Sequence, residues 1–406
     1  MSKLNLVILG GGNGPHCYAG IAAQQPDVDV RVLTLFQDEA ERWTNAMKDA
    51  PFEVTFNNWE TGNNKVFSGK PRIVSKDPAQ VLPGAHLIVF MVPAFAHNQY
   101  FAAIEPYLQE GVIICGAPGA CGFMFQAMHA LGAKAKTCCL MSFESLPWSC
   151  RMTQFGRTAT VLAGKDTMSG GAMGDMTRKS VIGKNPVDTF EHTLLSRPHL
   201  IIKGHLLGDT LMYVNAFIHP NIEYGTWRDW DGKPLDEPVD FYHTCSKLAA
   251  KMVGATSDEA LAIRDAIKKA RPEINLSQVI HMHEWYCTTF PDVDIGDKTD
   301  LYTTFRTHKG YTGIKHPMVK TDDGKYVPDF KYRYFTEDIP CGQVVLRGIA
   351  EILGVPTPNL DEVITWAQGK LGKEYLVNGK LAGKDIGETR CPQRFGISTL
   401  DGILGQ

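Results

Sequence analysis

An N-terminal α/β domain built on a mostly parallel sheet, followed by an all-α second domain, is the fold this sequence predicts. Three observations carry that prediction. Apolar runs rich in Val, Ile and Leu, without polar alternation, recur through the first 165 or so residues, the signature of strands covered on both faces. Segments with helical spacing of apolar residues separate them, so the connections read as βαβ units. After about residue 195 the strand signals fade and helical ones dominate.

In chain order, the strand-like runs are 4–9, 28–35, 87–92, 112–115, 137–141 and 160–163. Residues 38–47, 97–108 and 123–131 carry helical periodicity between them. The polar stretch 51–75 breaks the rhythm and reads as a hairpin or irregular insertion, and the glycine-containing stretch 168–185 reads as the connection to the second domain. That domain should contain helices over 206–218, 257–270, 276–290, 343–353 and 359–369. The predicted domains are 1–195 and 196–406, with the active site in the cleft between them.

The totals agree with two domains, because 406 residues exceed what one core usually supports. Forty-one Lys and Arg against forty-four Asp and Glu, without a long run of either sign, exclude a nucleic-acid arm or a polybasic membrane patch. Ten cysteines without a regular framework or a C-x-x-C clip suit reduced thiols in a cytoplasmic protein. No signal-peptide pattern opens the chain, and no run approaches the roughly eighteen apolar residues of a membrane span. Small molecules are the expected partners.

Directly after the first apolar run comes GGGNGPHCYAG, residues 10–20. Gly10, Gly11, Gly12, Asn13, Gly14 and Pro15 stand between a buried strand and a helix, where glycines let a backbone approach a pyrophosphate and the helix end supplies N–H donors. Gly10 and Gly12 fill the first two places of G-x-G-x-x-G, and Pro15 occupies the third. Proline is tolerated in a first helical turn, so this is a dinucleotide loop of the Rossmann type with one altered contact. The acid that grips the adenosine ribose in NAD enzymes lies about twenty residues on. Thr34 or Leu35 holds that spot, with Asp38 and Glu39 slightly late, and NAD is favoured over NADP. Val92, Pro93 and Ala94, in FMVPAFAH, follow a later strand where the chain passes beneath such a cofactor; GAPGACG at 116–122 follows the next. Simple crossover turns would read the same way.

Nicotinamide chemistry also needs a proton donor or acceptor, and usually a cation for a carboxylate. His219, in NAFIHPNIEYG, ends an apolar stretch, although a His before Pro is commonly structural. KYRYFTEDIPCG gathers Arg333, Glu337 and Asp338: Arg333 can fork a carboxylate and Asp338 can orient an imidazole, while a surface ion-pair loop would look alike. Glu144, at the end of a buried strand in MSFESLPWSC, serves either as a helix cap or toward a substrate amine. HMHEW, with His281, His283 and Glu284, lacks a third ligand at metal spacing, and no metal is expected. Cys121 has no activating base nearby in sequence and reads as a buried thiol.

GGGNGPH, VRVLTLFQDEAERW, VPAFAH, MSFESLPW, FIHP, WDGKP, YRYFTEDIP, GKEYLV and TRCPQRFG together resemble the opine dehydrogenases, specifically the invertebrate branch, from end to end. The resemblance implies a Rossmann domain and a helical domain. It further implies NADH-dependent reductive condensation of pyruvate with an amino acid, regenerating NAD in anaerobic glycolysis, by a monomer. It assigns His219 as the catalytic histidine, Asp338 as its partner carboxylate and Arg333 as the clamp for the pyruvate carboxylate, with Glu144 and Cys150 against the amino acid. The arginine-using branch carries a Gln in the loop after the fifth strand and a Met and a Tyr one turn before the histidine. Here those places read Gly119-Ala120-Cys121, Tyr213 and Asn215. A shorter amine (alanine, glycine, β-alanine or taurine) is therefore expected. L-Arginine as the amine, a related NAD(P) dehydrogenase of a hydroxy acid or sugar phosphate, and a catalytically silent dinucleotide sensor are the alternatives.

Overall fold

The computed structural model describes residues 3–59, 63–290 and 292–406. They form two compact units, residues 1–209 and 210–406. In chain order the strands of the first unit are β1 (Leu4–Leu9), β2 (Val28–Leu33), β3 (Glu53–Trp59), β4 (Asn63–Ser68), β5 (Ile73–Ser75) and β6 (Leu87–Phe90). They continue as β7 (Ile113–Gly116), β8 (Cys139–Phe143), β9 (Trp148–Gln154), β10 (Thr158–Gly164), β11 (Thr167–Met173) and β12 (His199–His205).

Eight of these build the main sheet, in the order β12-β11-β8-β7-β6-β1-β2-β5. Every neighbouring pair is parallel except β11 with β8. The central strands β6, β7 and β8 are buried at every position, which is why their sequences show no polar alternation. Each such Leu, Ile or Val contributes roughly 1.5–3 kcal/mol by leaving water. The order, reversing on either side of β1, is that of a doubly wound Rossmann sheet.

A second sheet, β4-β3-β10-β9, covers the outer face of the helix Asn13–Ala22. Gly20 of that helix has no room for a side chain, since a Cβ would stand 2.4 Å from Val54 Cγ2. The 51–75 stretch thus holds the β3–β4 hairpin and β5, with residues 60–62 of the expected insertion outside the described residues.

Three expectations are corrected here. The run 160–163 belongs to the second sheet, not the main one. The supposed connection 168–185 begins within β11, a strand of the main sheet paired on both sides. The two glycines of β11 are packing residues, because a Cβ on Gly170 would meet the Ser142 carbonyl at 2.3 Å and one on Gly171 the His205 carbonyl at 2.6 Å. The division between units falls after residue 209 and not after 195, because β12 pairs with β11 and so belongs to the first sheet.

The second unit is mainly helical, with two short hairpins, Met318–Lys320 with Tyr326–Pro328 and Leu376–Val377 with Lys380–Leu381. Its long helices are Val214–Trp227, Lys247–Ala270, Val344–Leu353 and Pro358–Leu371. The expected helix over 206–218 splits at residues 212–213, and that over 276–290 shortens to Met282–Thr289. Lys247–Ala270 starts ahead of the expected 257 because Ser246 caps it, accepting the Ala249 N–H at 3.0 Å. Glu259, buried within it, accepts the Asn359 and Leu360 amides at 2.7 and 2.9 Å and so caps the helix Pro358–Leu371. Among the described residues, no helix is long and apolar enough to cross a membrane.

His16 ties the glycine loop to the second sheet. Its ring stacks on Trp43 at 3.6 Å, Nδ1 donates to the Gly12 carbonyl at 2.9 Å, and Nε2 accepts the Gly156 N–H at 3.0 Å. Burial pulls its pKa down to about 4, against the opposing Gly12 bond. Between pH 4 and the unfolded value near 6.5 the unfolded chain binds more protons, so this contribution to stability is complete above pH 6.5 and lost as pH falls. The loss should total roughly 3 kcal/mol by pH 4. Urea unfolding of His16→Gln between pH 4 and 7.5 should show a distinctly flatter profile; an unchanged slope would place the acid sensitivity elsewhere.

Candidate functional site

In the first unit, β1 delivers the chain into a turn that only glycine permits. Gly10 has φ +112°, and a Cβ there would lie 2.6 Å from Val92 Cγ1. At Gly11 a Cβ would meet the Glu39 carboxylate at 2.1 Å. Gly12, the N-cap of the helix Asn13–Ala22, has nothing within 4 Å of that position. No side chain caps this helix start. The result is an open concavity over a helix N-terminus, suited to a phosphate anion. Pro15 lies in the first helical turn, where its missing N–H costs no intrahelical bond. Asn13 is turned away from the concavity, its Oδ1 accepting the Met152 N–H at 2.9 Å. Val92, Pro93 and Ala94 follow β6 beside Gly10, with Ala94 opening a 3-10 turn.

The ribose acid that looked late in sequence is brought back by local structure. Glu39 opens the helix Glu39–Ala46, and its Oε2 accepts the Thr34 hydroxyl at 2.6 Å directly beneath Gly11. Thr34 is fully buried and positions Glu39, so the carboxylate, not the threonine, is the group offered to a sugar hydroxyl. A carboxylate here repels a 2′-phosphate, so the residues fit NAD better than NADP. Asp38, the other late acid, is spent on an exposed pair with Arg42 at 2.9 Å.

At the same edge of the sheet, Glu144 follows β8. No helix starts there, so it caps none; its Oε1 accepts the Ser169 N–H at 3.4 Å, and its own N–H donates to the Ser169 carbonyl at 3.1 Å. Cys150, expected against the amino acid, is 3% exposed within the core. It shares a hydrogen bond with Cys17 that, with burial, pushes the Cys17 thiol far up. Asp209 was not singled out by the sequence. Burial pushes its carboxyl up to about 7, opposed by a hydrogen bond from the Ser142 hydroxyl and assisted by the charge of Glu144. Gly119 lies against that same hydroxyl, with no space for a Cβ, and Cys121 is completely buried.

The second unit brings His219, Asp338, Tyr213 and Asn215 together. Pro220 interrupts the helix Val214–Trp227 by lacking an N–H, and the Ala216 carbonyl it leaves over accepts from Gln343 Nε2 at 3.1 Å. That bond ties the His219 turn to the turn that holds Asp338. His219 Nδ1 lies 2.8 Å from Asp338 Oδ2. Tyr213 donates to Asp338 Oδ1 at 3.2 Å, and Asn215 Nδ2 donates to the tyrosine oxygen at 3.2 Å. Tyr334, which sequence reasoning missed, stacks on the imidazole at 3.7 Å and 18°. With Asp338 2% and His219 7% exposed, the carboxylate fixes the Nδ1–H tautomer and stabilises an imidazolium, so Nε2 is the nitrogen left for proton transfer.

Arg333 begins the same turn. Its Nε and Nη2 lie 3.0 and 2.8 Å from Glu337 Oε2, while its side chain remains 54% exposed and that of Glu337 only 4%. One edge of the guanidinium is anchored and the other faces outward, the posture of a carboxylate clamp. The surface-loop alternative therefore describes Arg333 in part and Asp338 not at all. In HMHEW, His281 caps a helix by accepting the His283 N–H at 3.1 Å, and His283 Nε2 bonds the Lys298 carbonyl at 2.8 Å. Among the described residues no group of three or more His, Cys, Asp or Glu is arranged to hold a metal.

With this geometry in hand, comparison with known proteins is specific. Residues 202–371 match the family described as NAD/NADP octopine/nopaline dehydrogenase, alpha-helical domain. The chain is 48% identical to tauropine dehydrogenase of Arabella iricolor over 98% of its length and 99% of that protein. It is 44% identical to octopine dehydrogenase of Mizuhopecten yessoensis over 99% of its length and 98% of that protein. A solved structure of octopine dehydrogenase with NADH and L-arginine is 42% identical, with a TM-score of 0.93, covering all of this chain and 98% of that one. The chain belongs to the opine dehydrogenase family, a group of NAD-dependent oxidoreductases.

Proposed function

We propose that this protein catalyses the NADH-dependent reductive condensation of pyruvate with the amino group of a short amino acid, with alanine, glycine, β-alanine or taurine favoured over arginine. The observation that carries the reading is the buried His219–Asp338 pair at 2.8 Å with Arg333 at the start of the Asp338 turn. The 48% identity to a tauropine dehydrogenase, against 43–44% to octopine dehydrogenases, favours the shorter amine. So do Gly119, Tyr213 and Asn215, which stand where the arginine-using branch carries other residues. The product is an opine, and the reaction regenerates NAD when pyruvate is the available oxidant. Ten free cysteines suit a reducing cytoplasm, where the chain would act as a monomer.

The residues divide the work as follows. Arg333 holds the pyruvate carboxylate through its outward edge and so fixes the keto carbon. The substrate amine adds to that carbon, and His219 Nε2 donates a proton to the developing alkoxide. His219 then takes a proton back from the ammonium nitrogen of the carbinolamine and passes it to the departing hydroxyl, and water leaves to give the protonated imine. Bound reduced nicotinamide supplies the hydride that converts the imine carbon to the secondary amine. Throughout, Asp338 holds the imidazole tautomer, Tyr213, itself bonded by Asn215, holds Asp338, and Tyr334 fixes the ring plane. On the nucleotide side, the concavity over Gly12 and the first-turn N–H groups would hold the diphosphate, and Glu39 the adenosine ribose.

His219→Asn should lower turnover by at least a thousandfold while the NADH dissociation constant stays within about threefold; equal loss of both would make the residue structural. Glu39→Gln should weaken NADH at least about fivefold while leaving the melting temperature nearly unchanged, measured by protein-fluorescence quenching and calorimetry. In an assay of NADH oxidation with pyruvate and single amines, one of the four short amines should outpace L-arginine at least tenfold. A wide advantage for arginine would overturn the specificity assignment.

A further inference from the structure

Lys165 stands in the turn joining β10 to β11. Because β11 runs antiparallel to β8, with Gly170 opposite Phe143, the start of β11 and the end of β8 share one edge of the sheet. This is the edge at which β1 enters the glycine loop. The Lys165 ammonium donates to the Ser145 hydroxyl, in the segment that follows β8. The next residue, Leu146, lies against that loop, 3.0 Å from the Cβ position of Gly14. Glu144, on the other side of Ser145, is close enough for its charge to act on Lys165.

The ammonium is poorly supplied with counter-charge. Burial lowers its pKa, and the charge of Glu144 only opposes that effect. Among the described residues no carboxylate closes on Lys165 as an ion pair, and its hydrogen bond goes to a neutral hydroxyl. A desolvated cation in this condition is stabilised by an anion that arrives with the ligand. Two of its three N–H groups remain after the Ser145 bond.

We propose that Lys165 is a specificity-determining residue that receives the acid group, carboxylate or sulfonate, of the amine substrate. The inference rests on the opine dehydrogenase reading above. Lys165 and Glu144, either side of Ser145, offer opposite charges a short distance apart, which matches a short zwitterion with its amine toward Glu144 and its acid toward Lys165. A guanidinium tail would instead bring a second cation beside Lys165. The charge pattern thus gives a physical reason for preferring alanine, glycine, β-alanine or taurine.

The test compares wild type with Lys165→Met, Lys165→Gln and Lys165→Arg, using taurine and L-alanine as acidic amines and ethanolamine as an amine without an acid. Lys165→Met should raise KM for the acidic amines at least tenfold. KM for pyruvate and the NADH dissociation constant should stay within twofold, KM for ethanolamine should not move, and Lys165→Arg should recover most of the loss. Lys165→Gln, which can keep the Ser145 bond, gives the same reading should the methionine variant fold poorly. If NADH binding weakens tenfold while amine KM is unchanged, the ammonium serves the cofactor diphosphate and the proposal is overturned. Unchanged values throughout overturn it as well. A wild-type protein that oxidises NADH with pyruvate and no amine at all would instead remove the opine reading itself, and this inference with it.

Discussion

The second unit is organised around a carboxylate that is almost sealed from water. Asp338, 2% exposed, needs partners on both oxygens, because a buried charge with a missing partner costs several kcal/mol. His219 takes one oxygen and Tyr213 the other. Meeting that requirement ties the helix Val214–Trp227 to the turn carrying Arg333 and Glu337, and it sets the imidazole tautomer at the same time. Pro220 makes the joint possible: its missing N–H leaves the Ala216 carbonyl for Gln343, so a helix defect becomes a crosslink. Folding and proton transfer use one group of atoms.

In the first unit the corresponding constraint is steric. Gly10 must let β1 turn against Val92, Gly11 must clear Glu39, and Gly20 must admit Val54. Of the loop glycines, Gly12 alone has no crowding neighbour, and that is where a phosphate would approach. His16, kept neutral by burial, braces this region from below through the Gly12 carbonyl and the Gly156 amide. The loop is therefore rigid where it supports the helix and open where a ligand is to lie.

Charge is distributed differently at the far strands. Around the end of β8 charge is incompletely compensated: the buried Asp209 is pushed up to about 7 and the half-buried Lys165 is pulled below its ordinary value. Structural ion pairs in this protein are closed, as Arg347 with Glu351 and Asp361 shows. Ionisable groups displaced from their ordinary values without closed pairing recur at sites that wait for a ligand. That contrast separates the β8 edge from the remainder of the charged surface.

The sequence by itself determined the parallel sheet, the glycine loop and the helical second unit, because each is written in local periodicity or in a short motif. It also named His219, Arg333 and Asp338 as candidates, although their residues alone favoured a structural histidine and a surface ion-pair loop. Only tertiary structure joined His219 to Asp338 across 119 positions, returned Glu39 to the glycine loop and buried Cys150 against Cys17. It likewise turned the supposed linker into β11, since glycines that mimic a flexible connection are the ones a crowded strand requires. Periodicity reports which face of an element is buried. Which partner meets that face depends on contacts far apart in the chain, and those are settled only when the sheets and helices close on one another.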